Sequence, residues 1–225
     1  MSIIIAAYLI GDGLKSFNRH EKKISVKGLA EKEIDSDLAV WIIDFNNSAE
    51  SLEAIRRQYP ETQQLIQKYL LNNGIQQKEI SVSSSIKDRL AQDYDAGKGS
   101  RFIANGSFVV TSREVEKIQR AKEGLSELLQ KGVVITNDRV QYYFTRLNEI
   151  KPEMLDTATR NAKSAADGFA KSMNVRVGQL LSASQGVFSI ENSISTSADN
   201  EYSSGDLTSI RKKVRVVIQV EFSIN

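Results

Sequence analysis

The side chains that most often do chemistry are few in this sequence, and they are scattered. His20 is the only histidine among 225 residues, and there is no cysteine. A Ser-His-Asp triad would have to use His20, which lies in a polar stretch from Lys15 to Lys23. Such a stretch cannot hold a base within hydrogen-bond reach of a nucleophile. Two-histidine metal motifs, thiolate metal sites, disulfides and cysteine nucleophiles are excluded together. Gly97-Lys-Gly-Ser100 lacks the spacing G-x-x-x-x-G-K-[ST] of a phosphate loop and has no strand-to-helix setting, so it reads as a turn. Asp93-Tyr-Asp-Ala-Gly97 starts like a calcium loop, but the sixth and twelfth positions, where Gly and Glu are needed, hold Lys98 and Ala104. Asp35 and Asp37 flank strand ends, with nothing to mark them as a buried acid–base pair. No catalytic residue, cofactor or metal is expected, and the chain reads as a non-enzyme.

One charged group stands out. Arg211, Lys212, Lys213 and Arg215 form the single dense basic cluster, at the start of a strand. The plain reading is a solvated edge that guards against strand pairing. The functional reading is an interaction surface for anionic lipid or an acidic partner. A net charge of +2 gives no bulk electrostatic case for nucleic acid.

The elements that would position these groups follow from periodicity. Lys23 to Gly28 alternates as a short strand, with a turn-like stretch after it. Asp37 to Phe45 is apolar on nearly both faces, the pattern of a central, covered strand. Asn47 and Glu50 have capping-box spacing before a helix carrying Leu52, Ile55, Tyr59, Ile66, Tyr69 and Leu70 inward. Pro60 inside it predicts a kink or break near Tyr59, and Asn73-Gly74 a left-handed stop. Strands are expected over 79–87, 101–110 and 140–145. Thr111 and Glu114 repeat the capping spacing before a second helix, with Val115, Ile118, Leu125, Leu128 and Leu129 inward and Gly132 closing it. The pattern L-L-x-x-G-aliphatic occurs at 70–75 and at 128–133, each before a strand. A duplicated strand–helix–strand unit and independent use of one helix-ending device both account for it.

From Pro152 a third helix sets Leu155, Ala158, Ala162, Ala165/Ala166, Phe169 and Met173 on one face, and it stops at Asn174. Its small residues allow close approach to whatever the helix covers. Val214, Val216, Ile218, Val220, Phe222 and Ile224 alternate with wetter residues, as in a strand with one face in the core, about 40 Å long at about 3.3 Å per residue. Its natural partner is 175–190, which makes a long C-terminal β-hairpin. The polar stretch Ser189–Ser209 between them is long for a loop, and such loops are usually disordered or functional.

Val26-Lys-Gly-Leu-Ala30 leading into Asp37-Leu-Ala-Val-Trp41, the helix end at 70–75, the Ala-x-x-x-Ala spacing before Phe169-Ala170, and Gly178 before the long strand together resemble the SIMPL-domain family of bacterial periplasmic and outer-membrane immunogenic proteins. The likeness covers about 22–225. It implies an α+β fold of long, mostly antiparallel or mixed strands packed by three main helices. It also implies export, ring- or channel-like oligomers and a loose association with envelope or oxidative stress. It carries no catalytic residues over.

Two regions are expected. Residues 1–22 read as a truncated anchor or signal remnant with a polar tether, because Ile3 to Ile10 is an apolar run of eight. That run is too short to span a bilayer alone, and a buried first strand is the competing reading. Residues 23–225 read as one SIMPL-like domain, with two α/β subdomains as a variant. The expected function is that of an exported, membrane-tethered envelope or periplasmic protein. It would act by homo-oligomerisation or by binding an envelope protein or anionic lipid. The alternative is a small-ligand or peptide binding module using the 189–209 loop.

Overall fold

The computed structural model describes residues 22–89, 99–192 and 207–225. The apolar run at Ile3–Ile10, His20, the Asp93–Gly97 segment and most of the 189–209 loop lie outside the described residues. Among the described residues seven strands form two sheets, one of three strands in the order β1-β7-β6 and one of four in the order β3-β4-β2-β5. The strands are β1 (Lys23–Asp35), β2 (Leu38–Ala49), β3 (Ile80–Asp88), β4 (Phe102–Ser112), β5 (Ile135–Tyr143), β6 (Val177–Asn192) and β7 (Arg211–Ile224). The helices are α1 (Leu52–Asn72), α2 (Val115–Glu123), α3 (Ser126–Gln130) and α4 (Leu147–Ser172). The fold is α+β, as expected. The chain divides into two compact units, one from 1–32, 148–189 and 214–225, the other from 33–147 and 190–213.

The unit around the four-stranded sheet has two interleaved strand–helix–strand halves. β2 and β4 pair antiparallel at the centre, β3 lies beyond β4, and β5 lies beyond β2. Each half therefore straddles a strand of the other, the split β-α-β arrangement of ferredoxin-like domains. The echo at 70–75 and 128–133 falls at corresponding places, the ends of α1 and α3. Gly74 and Gly132 both take φ of +79°, and the Ile75 and Val133 amides return to the Leu70 and Leu128 carbonyls at 3.1 and 3.0 Å. The same device closes α4, where Asn174 at φ +54° stands in the glycine's place and Val175 N–H reaches the Ala170 carbonyl at 3.0 Å. The recurrence therefore reaches beyond the two halves, which favours a reused ending device.

Ala39, Trp41, Ile43 and Phe45 share one face of β2 and are buried with Phe108 and Val110 of β4. Phe45 stacks on Tyr59 at 5.4 Å and meets Phe108 at 5.8 Å, within the range that favours aromatic pairs. The opposite face, with Leu38, Val40 and Ile42, is half-buried, so β2 is central but fully covered on one side only.

Several boundaries depart from expectation. β2 runs on through Asn47 to Ala49, and Ser51 caps α1 by accepting from Ala54 N–H at 3.2 Å; Asn47 instead donates to Thr62. α1 continues unbroken through Pro60, which is exposed, so the carbonyl it leaves unbonded is on the wet side where water can serve it. Leu52 and Leu129 are exposed rather than inward. Thr111 is a β4 residue opposite Val40, and α2 starts at Val115 without a side-chain cap. The second expected helix is two pieces because Tyr69 O–H donates to the Ala121 carbonyl, and Leu125 N–H bonds Lys122 instead. A side chain at Gly124 would meet that same hydroxyl at 2.8 Å.

In the other unit, β1 continues through Asp35 where a turn was expected after Gly28. α4 buries Met154, Ala158, Ala162, Ala166 and Ala170, a strict every-fourth stripe, whereas Phe169 and Met173 are exposed. The alanines allow close approach, since a side chain at Gly28 would overlap the Ala158 carbonyl. Alternation along β7 is as expected, with Val214, Val216, Ile218, Val220 and Phe222 buried.

Candidate functional site

The basic cluster at the start of β7 is divided by the two-residue period of the strand. Lys212 turns inward and is buried, while Arg211 and Arg215 turn outward. Arg211 lies 3.6 Å from Asp35, and Arg215 lies 3.7 Å from Glu31, so carboxylates of β1 already face both guanidinium groups. Lys213 is half-buried between them along the strand. These are exposed ion pairs, worth little each, but they spend the positive field that a compact cluster would project.

The carboxylates do not converge. Asp37 accepts from the Thr145 backbone N–H at 2.8 Å, the Thr145 hydroxyl at 3.1 Å and Arg146 Nε at 2.9 Å. Burial pushes its carboxyl up, but those donors outweigh burial and hold it below the ordinary Asp value. Glu79 behaves alike: burial raises it, and the Ser112 hydroxyl at 2.6 Å and the Gln76 N–H at 2.7 Å bring it below the usual Glu value. Both are held ionised by fixed donors, the opposite of a general acid poised near neutrality. Burial raises the Tyr142 hydroxyl, with Asp138 and Glu123 adding to it, and its ring packs in the core. Among the described residues no three His, Cys, Asp or Glu gather to hold a metal, and no helix is long and apolar enough to cross a membrane.

An open groove of about 400 Å³ lies along the four-stranded sheet, lined by Asp44, Ser83, Ser85, Asn105, Ser107 and Thr136, among others. The pairing register sets Ser83, Ser107, Asp44 and Asn137 in one row across all four strands. Among the described residues Asp44 is the only charged lining group, and Asn137 donates to it at 2.8 Å. The row offers hydroxyl, carboxylate and amide partners to a polar molecule.

The sheet edges differ more. β1, one border of the three-stranded sheet, carries Lys23, Lys27, Glu31, Lys32, Glu33 and Asp35. β6, the other border, carries no charged residue from Val177 to Ile190 and no proline. It exposes Leu180 (59%), Leu181 (40%) and Val187 (89%). Charged or proline-bearing edges resist strand addition; a long bare edge invites it. β3, at the border of the other sheet, is exposed from Ser81 to Lys87, with Val82 and Ile86 outward and charge only at Lys87 and Asp88.

A family profile spans residues 24–222, nearly the whole chain: SIMPL, described as a protein of unknown function (DUF541). The chain belongs to the SIMPL family. No curated protein matches it. Among solved structures, an uncharacterized conserved protein from Listeria innocua is similar at 6% identity and a TM-score of 0.25, with 92% of this chain and 97% of that one covered.

Reading residue types found the basic cluster of this SIMPL chain and missed the bare edge. The signal was present as an uncharged run from Val177 to Ile190, but a covered strand looks the same until its neighbours are known.

Proposed function

We propose that this SIMPL chain is a non-enzymatic protein of the cell envelope that acts by assembling with further copies of itself or with a partner protein, in a role connected with envelope stress. The observation that carries the reading is β6: a long, exposed sheet border, uncharged from Val177 to Ile190, with apolar side chains outward. Export and tethering rest on the Ile3–Ile10 run and on what the family resemblance implies. Contact with anionic lipid through Arg211 and Arg215 is the weaker route, because Asp35 and Glu31 face them. The test is light scattering with native mass spectrometry over a concentration series from about 1 µM to several hundred µM. Mass rising with concentration is expected; a strict monomer throughout sinks self-assembly.

A second reading is a binding module for a small neutral or singly cationic molecule. The polar row through Ser83, Ser107 and Asp44 favours it, since its volume lies in the range of about 300–1,000 Å³ typical of ligand sites. Thermal-shift screening against polyols and small amines, with Asp44→Ala and a deletion of 189–209 as controls, separates groove binding from loop binding. Assembly should survive both changes.

A further inference from the structure

We infer that β6 pairs antiparallel with β6 of a second copy, about a two-fold axis through Ser184, joining two three-stranded sheets into one of six strands; this rests on the self-assembly reading and specifies its interface. The backbone argument comes first. Among the described residues β6 pairs with β7 on one side only, and as the outer strand of its sheet there it presents its donors and acceptors along the other. The residues from Gln179 to Val187 are all exposed, so an approaching strand meets no side chain packed over that edge.

Why a second copy should be the occupant follows from charge and register. Two identical strands usually repel wherever like charges meet across the pair. Here there is no charge between Val177 and Ile190, so that penalty is absent, whereas β1 with its six charges cannot pair with itself on such terms. A two-fold axis perpendicular to the sheet must pass through one pair of identical residues. Centring on Ser184 sets Leu180 against Phe188 and Leu181 against Val187, each pair made twice, with Ser182 against Gly186. Leu180, Leu181, Val187 and Phe188 then each have an apolar partner, while Ala183 faces Gln185. A shift of the centre by one residue sets Leu181 against Gln185 or Ser189. Cross-strand apolar pairs are the unit of sheet stabilisation, so this register is favoured over its neighbours.

The size of the contact sets its strength. A stable interface uses roughly 20–30 residues a side, and β6 brings 16. The dimer should therefore be concentration-dependent, with dissociation in roughly the micromolar range.

The absence of cysteine makes the test direct. In the proposed pair the two Ser184 Cα atoms are about 4.5–5.5 Å apart, inside the span of about 4.4–6.8 Å that a disulfide bridges. Gln179 would lie ten positions from its own copy, roughly 33 Å along the strand. Ser184→Cys and Gln179→Cys, each checked for native circular dichroism, are oxidised mildly near the dissociation constant and run without reductant. The expected result is a covalent dimer for Ser184→Cys at least tenfold above that for Gln179→Cys. Val187→Lys, at a site 89% exposed in the single chain, should leave the melting temperature of the dilute protein unchanged and weaken association about tenfold. Association by light scattering with no preference for Ser184→Cys over Gln179→Cys overturns this interface and leaves self-assembly standing. Association untouched by Val187→Lys overturns it likewise. A monomer at all concentrations overturns both.

Discussion

The two units solve the same problem, sealing one face of a sheet, with different side chains. The four-stranded sheet is sealed by bulk: Trp41, Phe45 and Phe108 fill the space beneath α1 and α2. The three-stranded sheet is sealed by nearness, with the alanine stripe of α4 so close over β1 that Gly28 has no room for a methyl group. Bulk tolerates distance and covers width. Nearness covers only what lies beneath one helix, which is why β1 and β7 carry a buried row and β6 stays exposed on this side of the molecule. Both units leave apolar side chains on a border, Val82 and Ile86 on β3 of the first and Leu180, Leu181 and Val187 on β6 of the second, but only the β6 border runs from residue 177 to 190 without a charge.

The comparison breaks most readily at Trp41. Trp41→Ala removes the largest buried side chain and the indole N–H donated to Asp138 at 2.6 Å. A loss of about 3–5 kcal/mol is expected, read as a shift of the urea midpoint by circular dichroism. A shift corresponding to under about 1 kcal/mol would mean that bulk is not what seals this sheet.

Gly28→Ala probes the other mode, with an expected cost of about 1–3 kcal/mol, because a methyl there must push α4 off β1. Trp41 is the only tryptophan, so fluorescence follows its unit alone while far-ultraviolet dichroism follows both. In Gly28→Ala the dichroism transition should begin earlier than the fluorescence transition, a departure from two-state behaviour that distinct units permit. Coincident curves, both shifted, would show that the units unfold as one.

Acid should act first on the unit with the aromatic core. Asp37 and Glu79 both have folded values below their ordinary ones of 3.8 and 4.5. Their contribution is fully present above those ordinary values and is lost as pH falls through the depressed ones. Glu221, in the other unit, is lowered chiefly by the Lys23 hydrogen bond but is exposed, where salt screens the effect. Fluorescence should therefore report acid destabilisation as pH falls below 4.5, and Asp37→Asn should flatten that slope. An unchanged slope in Asp37→Asn would remove Asp37 from the account.

What was legible in the sequence was what local spacing decides. The alternation of β7, the alanines of α4 and the turns at Gly74, Gly132 and Asn174 are set by side-chain period and by φ, and all are present in the fold. What was not legible depends on partners far along the chain. β1 passes its expected turn because it pairs with β7, and α2 breaks because Tyr69, 52 residues earlier, takes the Ala121 carbonyl. The basic cluster was visible as residue types, but the carboxylates of Asp35 and Glu31 that face two of its members come from a strand more than 170 residues away in sequence. The bare border of β6 was the least legible, since only strand order makes it a border.

The smallest expected effect concerns the helix endings, where the units again differ. Gly74 and Gly132 sit at φ +79°, and alanine at either should cost about 1–2 kcal/mol, because Cβ crowds the following carbonyl there. Asn174 occupies the same corner at φ +54°, with its amide turned back to the Lys171 carbonyl at 3.3 Å. Asparagine tolerates this conformation better than other residues with a Cβ, yet less well than glycine. Asn174→Gly therefore relieves native strain while giving the unfolded chain more freedom, and the two nearly cancel, to within about 0.5 kcal/mol. Asn174→Ala has only the penalty and should cost about 1 kcal/mol, on the dichroism transition and not on fluorescence. If Asn174→Gly cost as much as Asn174→Ala, the asparagine side chain itself, rather than its backbone angle, would be what ends α4.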